Sequence, residues 1–172
     1  MTKFARLAAL AVAATLAATP AVAAPTPATP KAKATAKIVK PLTLAATRDL
    51  DFGTILVGTV SGTQTVAISQ DGTTRSCGTA GLTCSGTFAS ATYNVTGTKQ
   101  FTVNIATAAS DLTNTTSGNN EKLVFTPNAP ASLVLANSGA PGSNFSVGGS
   151  IGVTSSTVDG LYSGDIEVTV DY

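Results

Sequence analysis

From Leu161 to Tyr172 the side chains alternate without a break: Tyr162, Gly164, Ile166, Val168, Val170 and Tyr172 share one side of an extended backbone, and Ser163, Asp165, Glu167, Thr169 and Asp171 share the other. A period of two has a simple solution, a β-strand with one face in a core and one in water. Alternating or apolar segments recur at residues 42–46, 53–57, 65–69, 87–96, 101–107, 122–126, 132–136 and 144–154, and none of them contains an amphipathic helix of useful length. Threonine is abundant in this stretch; its branched β-carbon suits a pleated surface and lets a solvent-facing strand stay uncharged. Asp71-Gly72 and Asp159-Gly160 are turn dipeptides, and Gly148-Gly149 inside an alternating segment predicts a bulge or a close backbone approach. Many short strands with such punctuation predict an all-β fold, an antiparallel β-sandwich, over residues 41–172. The outer-face acids of the last segment would discourage pairing with a wrong neighbour.

The N-terminal residues read differently. Residues 1–23 carry a basic start (Lys3, Arg6), an apolar run from Leu7 to Ala18 and an Ala21-Val22-Ala23 site, the pattern of a signal peptide. The run is too short to span a bilayer, so no membrane span is expected in the mature chain. Cleavage after Ala23 would deliver the protein to the periplasm and from there to the cell surface or medium.

Residues 24–40 form a Pro/Ala/Thr-rich extended linker that holds Lys31, Lys33, Lys37 and Lys40 and no acid. From Pro41 onward four bases (Arg48, Arg75, Lys99, Lys122) stand against all nine acids of the chain. A basic arm thus precedes a mildly acidic body, and the two could attract each other within a chain or between copies; the plainer reading is that the lysines keep a linker solvated. Within the arm, Ala32, Ala34, Ala36 and Ile38 would share one face of a strand from Lys31 to Ile38. Alanine also favours helix, but the period of two, Ile38-Val39 and the boundary at Pro41 favour the strand. Such a strand, apolar on one face and cationic on the other, is suited to docking on a sheet edge. The partner edge would be the C-terminal strand with Ile166, Val168, Val170 and Tyr172, whose acids would face Lys33 and Lys37.

Cys77 and Cys84 are the only two cysteines, flanked by Gly78, Gly81 and Gly86. In an oxidising compartment they should pair and close a small loop, stabilising the fold by about 2.5 kcal/mol in the chain-entropy account. A redox pair or half of a zinc site is less well supported, because the spacing is not C-x-x-C and no His or third Cys completes a ligand shell.

Charged residues make up only 11% of the chain and it contains no His. Nucleic-acid binding and most general acid–base chemistry are therefore not expected. Asp51-Phe52-Gly53 matches a kinase tripeptide, but the companion motifs are absent. Asp49 and Asp51 share one side of a strand, with no further oxygen ligands to make a cation site. A Ser-Lys dyad through Lys99 or Lys122 has nothing pointing to it. The Asn-rich segment 114–121 could form a lectin-like surface, although a solvated connection is the simpler reading.

Pro41-Leu42-Thr43-Leu44, Arg48 to Ile55, the Cys77/Cys84 pair, Phe145 to Gly149, and Gly160 to Gly164 with Val168 to Tyr172 resemble the DUF4402 family of exported bacterial proteins. The Gly-x-Tyr-x-Gly ending is also similar to spore-coat-U and chaperone–usher pilin domains. That resemblance implies an immunoglobulin-like sandwich lacking one strand, which a periplasmic chaperone fills temporarily and the next subunit's N-terminal extension fills permanently. It further implies a surface-fibre subunit, without cofactor or catalysis, whose partners are other copies or related subunits, a chaperone and an outer-membrane usher. The arm departs from the pilin pattern in offering alanines and one Ile38 where bulky residues are usual. Self-complementation is the alternative, and with it a monomeric surface binding module, for carbohydrate or another ligand.

Overall fold

The computed structural model describes residues 23–78, 81–116 and 120–172. The chain divides into two units, Met1–Lys37 and Ile38–Tyr172. The expected signal peptide lies outside the described residues but for Ala23. In chain order the second unit forms β1 (Thr43–Arg48), β2 (Thr54–Val57), β3 (Gln64–Ile68), β4 (Arg75–Cys77), β5 (Leu82–Ser85), β6 (Ala91–Thr96) and β7 (Thr102–Thr107). It continues with β8 (Ser110–Asn114), β9 (Lys122–Asn128), β10 (Ser132–Val134), β11 (Ser143–Val153), β12 (Tyr162–Ser163) and β13 (Val168–Asp171). Every pairing is antiparallel, and no helix occurs among the described residues.

The large sheet runs β1-β6-β11-β9-β8-β12, with β3 added to β11 and β4 to β3; β10-β7-β13 and β2-β5 make two smaller sheets. Alternation builds the layers. Tyr93 and Val95 of β6 and Phe145 and Val147 of β11 meet Val103 and Ile105 of β7, and Tyr93 stacks on Phe145 at 5.5 Å. A second cluster joins Val66, Ile68, Phe125, Ile151 and Val153 to Phe52, with Ile55 and Val57 of β2 and Leu82 and Cys84 of β5 packed on it. Sheets packed on both halves of the long central strand give the antiparallel β-sandwich read from the sequence.

Strand β11 serves both halves because it changes neighbours midway. Ser143–Val147 pairs with β6, whereas Gly149–Val153 pairs with β3. At the handover a β-carbon on Gly148 would run into the backbone of Ile68 and Ser69. The glycine pair thus marks a close backbone approach.

One expectation is corrected. The unbroken strand from Leu161 to Tyr172 is two short ones, because β12 pairs with β8 in the large sheet and β13 with β7 in a smaller one. The chain leaves one layer and enters the other between them, and residues 164–167 lie in neither strand. The Ser110 hydroxyl donates to the Asp165 carbonyl at 2.9 Å within this crossing. The alternation survives it, with Ile166, Val168 and Val170 half-buried and Asp165, Glu167 and Asp171 exposed. Within the single chain, no described residue before Thr43 belongs to a strand, and Ala32, Ala34, Ala36 and Ile38 are all exposed, Ile38 by 89%; the expected pairing of Lys31 to Ile38 concerns the edge of another copy. Alternation supplies a face, but a strand exists only where a second backbone supplies hydrogen bonds. Three strands escaped the sequence reading, β4, β5 and β8, each being short and mostly polar.

Cys77 and Cys84 are bonded, with Cα atoms 5.9 Å apart, and the bridge joins β4 to β5.

Candidate functional site

An open groove of about 1010 Å³ runs between residues 46–57 and residues 157–166. Its floor is apolar and comes from the second core: Leu112 of β8, Leu123 and Phe125 of β9, Ile151 and Val153 of β11. The two sides contain strands that are incompletely paired. Among the described residues β2 pairs only with β5, and β12 only with β8. Each therefore keeps one edge of backbone N–H and C=O groups without a ladder, the usual template for an added strand. Leu56 and Leu161, one on each side, are 68% and 70% exposed.

Both sides are fixed from behind. Along 46–57, the Asp51 carboxylate accepts the Gly53 amide at 2.8 Å, turning the chain into β2. Gly53 has φ of 73°, a left-handed value that favours glycine. Behind it, Arg75 of β4 donates from one nitrogen to the carbonyls of Phe52 at 2.8 Å and Ser85 at 3.0 Å. Its guanidinium also lies 5.0 Å from the Phe88 ring centroid. Along 157–166, Asn114 is 2% exposed; its amide donates to the Asp159 carbonyl and its oxygen accepts the Thr116 amide. The Val158 amide donates to Glu121, and the Thr115 amide to the Leu161 carbonyl.

The charge of the groove is uneven. Asp49, Asp51, Asp159 and Asp165 line it with a single base, Arg48, whose guanidinium donates to the carbonyl and hydroxyl oxygens of Ser90. Tyr93 also lines it, its phenol held above the ordinary value by burial and, secondarily, by the charge of Asp49.

The structure redistributes the residues singled out at the C-terminus. Ile166 lines the groove, but Val168 and Val170 pack on the first core, and Tyr172 sits apart with its ring edge-on to Phe101. Among the described residues β13 pairs only with β7 and so keeps one open backbone edge, and the groove adds a second candidate edge near the start of the segment. Asp49, Asp51 and Phe52, weighed in the sequence as a cation pair and a kinase tripeptide, are groove residues instead. Asn114, which the lectin-like reading placed on a surface, is a buried tether. Arg75 drew no notice in the sequence, since a lone arginine in a polar segment carries no pattern.

An antiparallel sandwich with an apolar groove between two open strand edges is, by fold and site, a candidate strand acceptor. Residues 42–172 match the family described as a domain of unknown function (DUF4402), and the chain belongs to that family. No curated protein and no solved structure gives a significant match to the chain.

Proposed function

We propose that the protein is the structural subunit of a surface fibre, built by β-strand addition, in which the groove takes the arm of a neighbouring copy. The observation that carries this reading is the groove itself: an apolar floor beneath two strand edges, in a chain whose alternating arm belongs to no strand. Charge supports it, because Lys31, Lys33 and Lys37 of an arm would meet a groove with four acids and one base. Such pairs contribute a few tenths to about 1 kcal/mol each. Ile38 is the one large apolar side chain of the octet and sets the register. The resulting contact is head-to-tail and does not close on itself, which produces a filament. On this reading the protein is exported, resembles the immunoglobulin-like pilins in lacking a strand, and has a periplasmic chaperone and an outer-membrane usher as transient partners. It performs no catalysis.

Analytical ultracentrifugation of the purified exported protein tests the proposal. Wild type should form concentration-dependent oligomers, and Ile38→Asp should abolish them, since an unpaired carboxylate is costly in an apolar groove. Deletion of 31–38 should have the same effect. A wild-type chain that stays monomeric at high concentration, with Ile38→Asp only lowering its melting temperature, would sink the fibre in favour of a self-complemented monomer. The volume and the mixture of aromatic and acidic side chains would then suit a small polar ligand, and a monomeric surface binding module becomes the better reading.

A further inference from the structure

Beyond the identity of the occupant, the geometry points to a positioning residue for the groove: we infer that Arg75 holds the β2 side at the separation an incoming strand requires. The inference rests on the groove being a strand acceptor. β2 and β5 form a sheet of their own, bound to the large sheet by no backbone ladder among the described residues. Apart from apolar packing and the bridge in which Asp51, before β2, and Ala89, before β6, exchange amide–carbonyl bonds at 2.9 Å, what ties them to it issues from β4. Arg75 reaches forward to Phe52, immediately before the turn into β2, and to Ser85, the last residue of β5. Two residues further along β4, Cys77 is bonded to Cys84 of β5.

The two ties are not equivalent. The disulfide fixes β5, the strand remote from the groove, whereas Arg75 holds the carbonyl that precedes the groove-lining strand itself. Thr54 pairs with Ser85 in the β2–β5 register, so a single guanidinium grips both strands at one end of their ladder. A charged donor shared by two carbonyls and stacked on Phe88 keeps this end stiff, and hydrogen bonds to charged groups are the stronger class. Without it, the β2 side would be held by the Asp51–Ala89 bridge, by the disulfide through β5 and by its contacts with the floor, and its far end would be freer to move relative to β12. A strand that must bond to both edges at once is sensitive to that spacing.

The test uses the full chain carrying Ile38→Asp, to which a labelled synthetic peptide of residues 31–40 is added. Arg75→Ala and Arg75→Lys are compared with unsubstituted Arg75 by fluorescence anisotropy and by amide hydrogen exchange. Arg75→Ala should raise the peptide Kd about tenfold and speed exchange in 54–57 and 82–85 by at least that factor, leaving β6 and β11 unchanged. Arg75→Lys should recover part of both effects, having a charged donor but a shorter reach and no planar group to lie over Phe88. Unchanged exchange in β2 and β5 overturns the inference, as does faster exchange with unchanged peptide affinity. If Arg75→Ala fails to fold, Arg75→Lys alone must show weaker binding and faster β2 exchange, and its behaving as wild type overturns the assignment. Failure of the peptide to bind even with Arg75 present is a different result: it removes strand addition by the arm, and the clamp then stands or falls on the exchange of β2 and β5.

Discussion

The hydroxyl of Tyr172 donates to the carbonyl of Lys40 at 2.6 Å and accepts the amide of Thr98 at 2.8 Å, so the last residue is bonded to the point where the arm joins the body. Lys40 is held a second time through its own amide, which donates to the Thr98 hydroxyl at 2.7 Å. Tyr172→Phe removes the first pair of bonds and keeps the ring against Phe101. The groups it leaves are near water, so the loss should be about 1 kcal/mol, seen as a melting midpoint lower by roughly 3–5 °C. A midpoint equal to wild type would show that Lys40 is fixed without Tyr172, by Thr98 and by the Ser138 carbonyl that its ammonium reaches.

Removing the bridge with Cys77→Ser and Cys84→Ser together should cost about 2.5 kcal/mol, the entropy of a small loop. Denaturant unfolding measures this. Far-ultraviolet circular dichroism should retain its β-sheet signature, because both clusters of buried apolar side chains are built chiefly by other residues.

Asn114→Ala deletes a buried amide that serves two backbone groups, the Asp159 carbonyl and the Thr116 amide. Leaving them without partners should destabilise the fold by about 1–3 kcal/mol. Exchange of the amides from 158 to 163 should quicken more than that of β6, since the tether lies beside the groove. Uniform quickening would make Asn114 a general stability residue instead.

Two titrations should bound the stability plateau. The Asp71 carboxylate is held below its ordinary value of 3.8, first by the Ser69 hydroxyl and then by the Thr73 amide and hydroxyl. Its contribution is present above 3.8 and is lost as pH falls through the lowered folded value. Tyr93, raised above 10.0, behaves oppositely: its contribution is complete below 10.0 and is lost as pH rises through the folded value. Melting midpoints measured against pH should therefore fall at both ends. Asp71→Asn should flatten the acid limb and Tyr93→Phe the alkaline one; an unaltered limb in either variant contradicts the assignment.

Much of the fold is legible in the chain. Tyr93, Val95, Phe145, Val147 and Phe125 announce their faces by alternation, and Gly148-Gly149 announces a close approach. The acceptor groove is not legible, because its sides come from residues near 50 and near 160 and its floor from three other strands. Linear order pairs Asp49 with Asp51 but gives no reason to consider either together with Asp165. Arg75 is hidden for a similar cause: its bonds go to carbonyl oxygens, which every residue possesses, so no side-chain pattern records them.

The sequence by itself determined which faces are apolar, where the turns fall, and the proximity of the two cysteines, since these follow from side-chain period and short-range spacing. Only the tertiary structure decided where the last segment breaks, because Gly164 to Glu167 must carry the chain from β8 to β7, a demand set by two distant strands. It also decided that, of the strands paired on one side only among the described residues, β2 and β12 flank the groove. A strand edge is open only by the absence of a neighbour, and which backbones become neighbours is settled by packing across the whole sandwich.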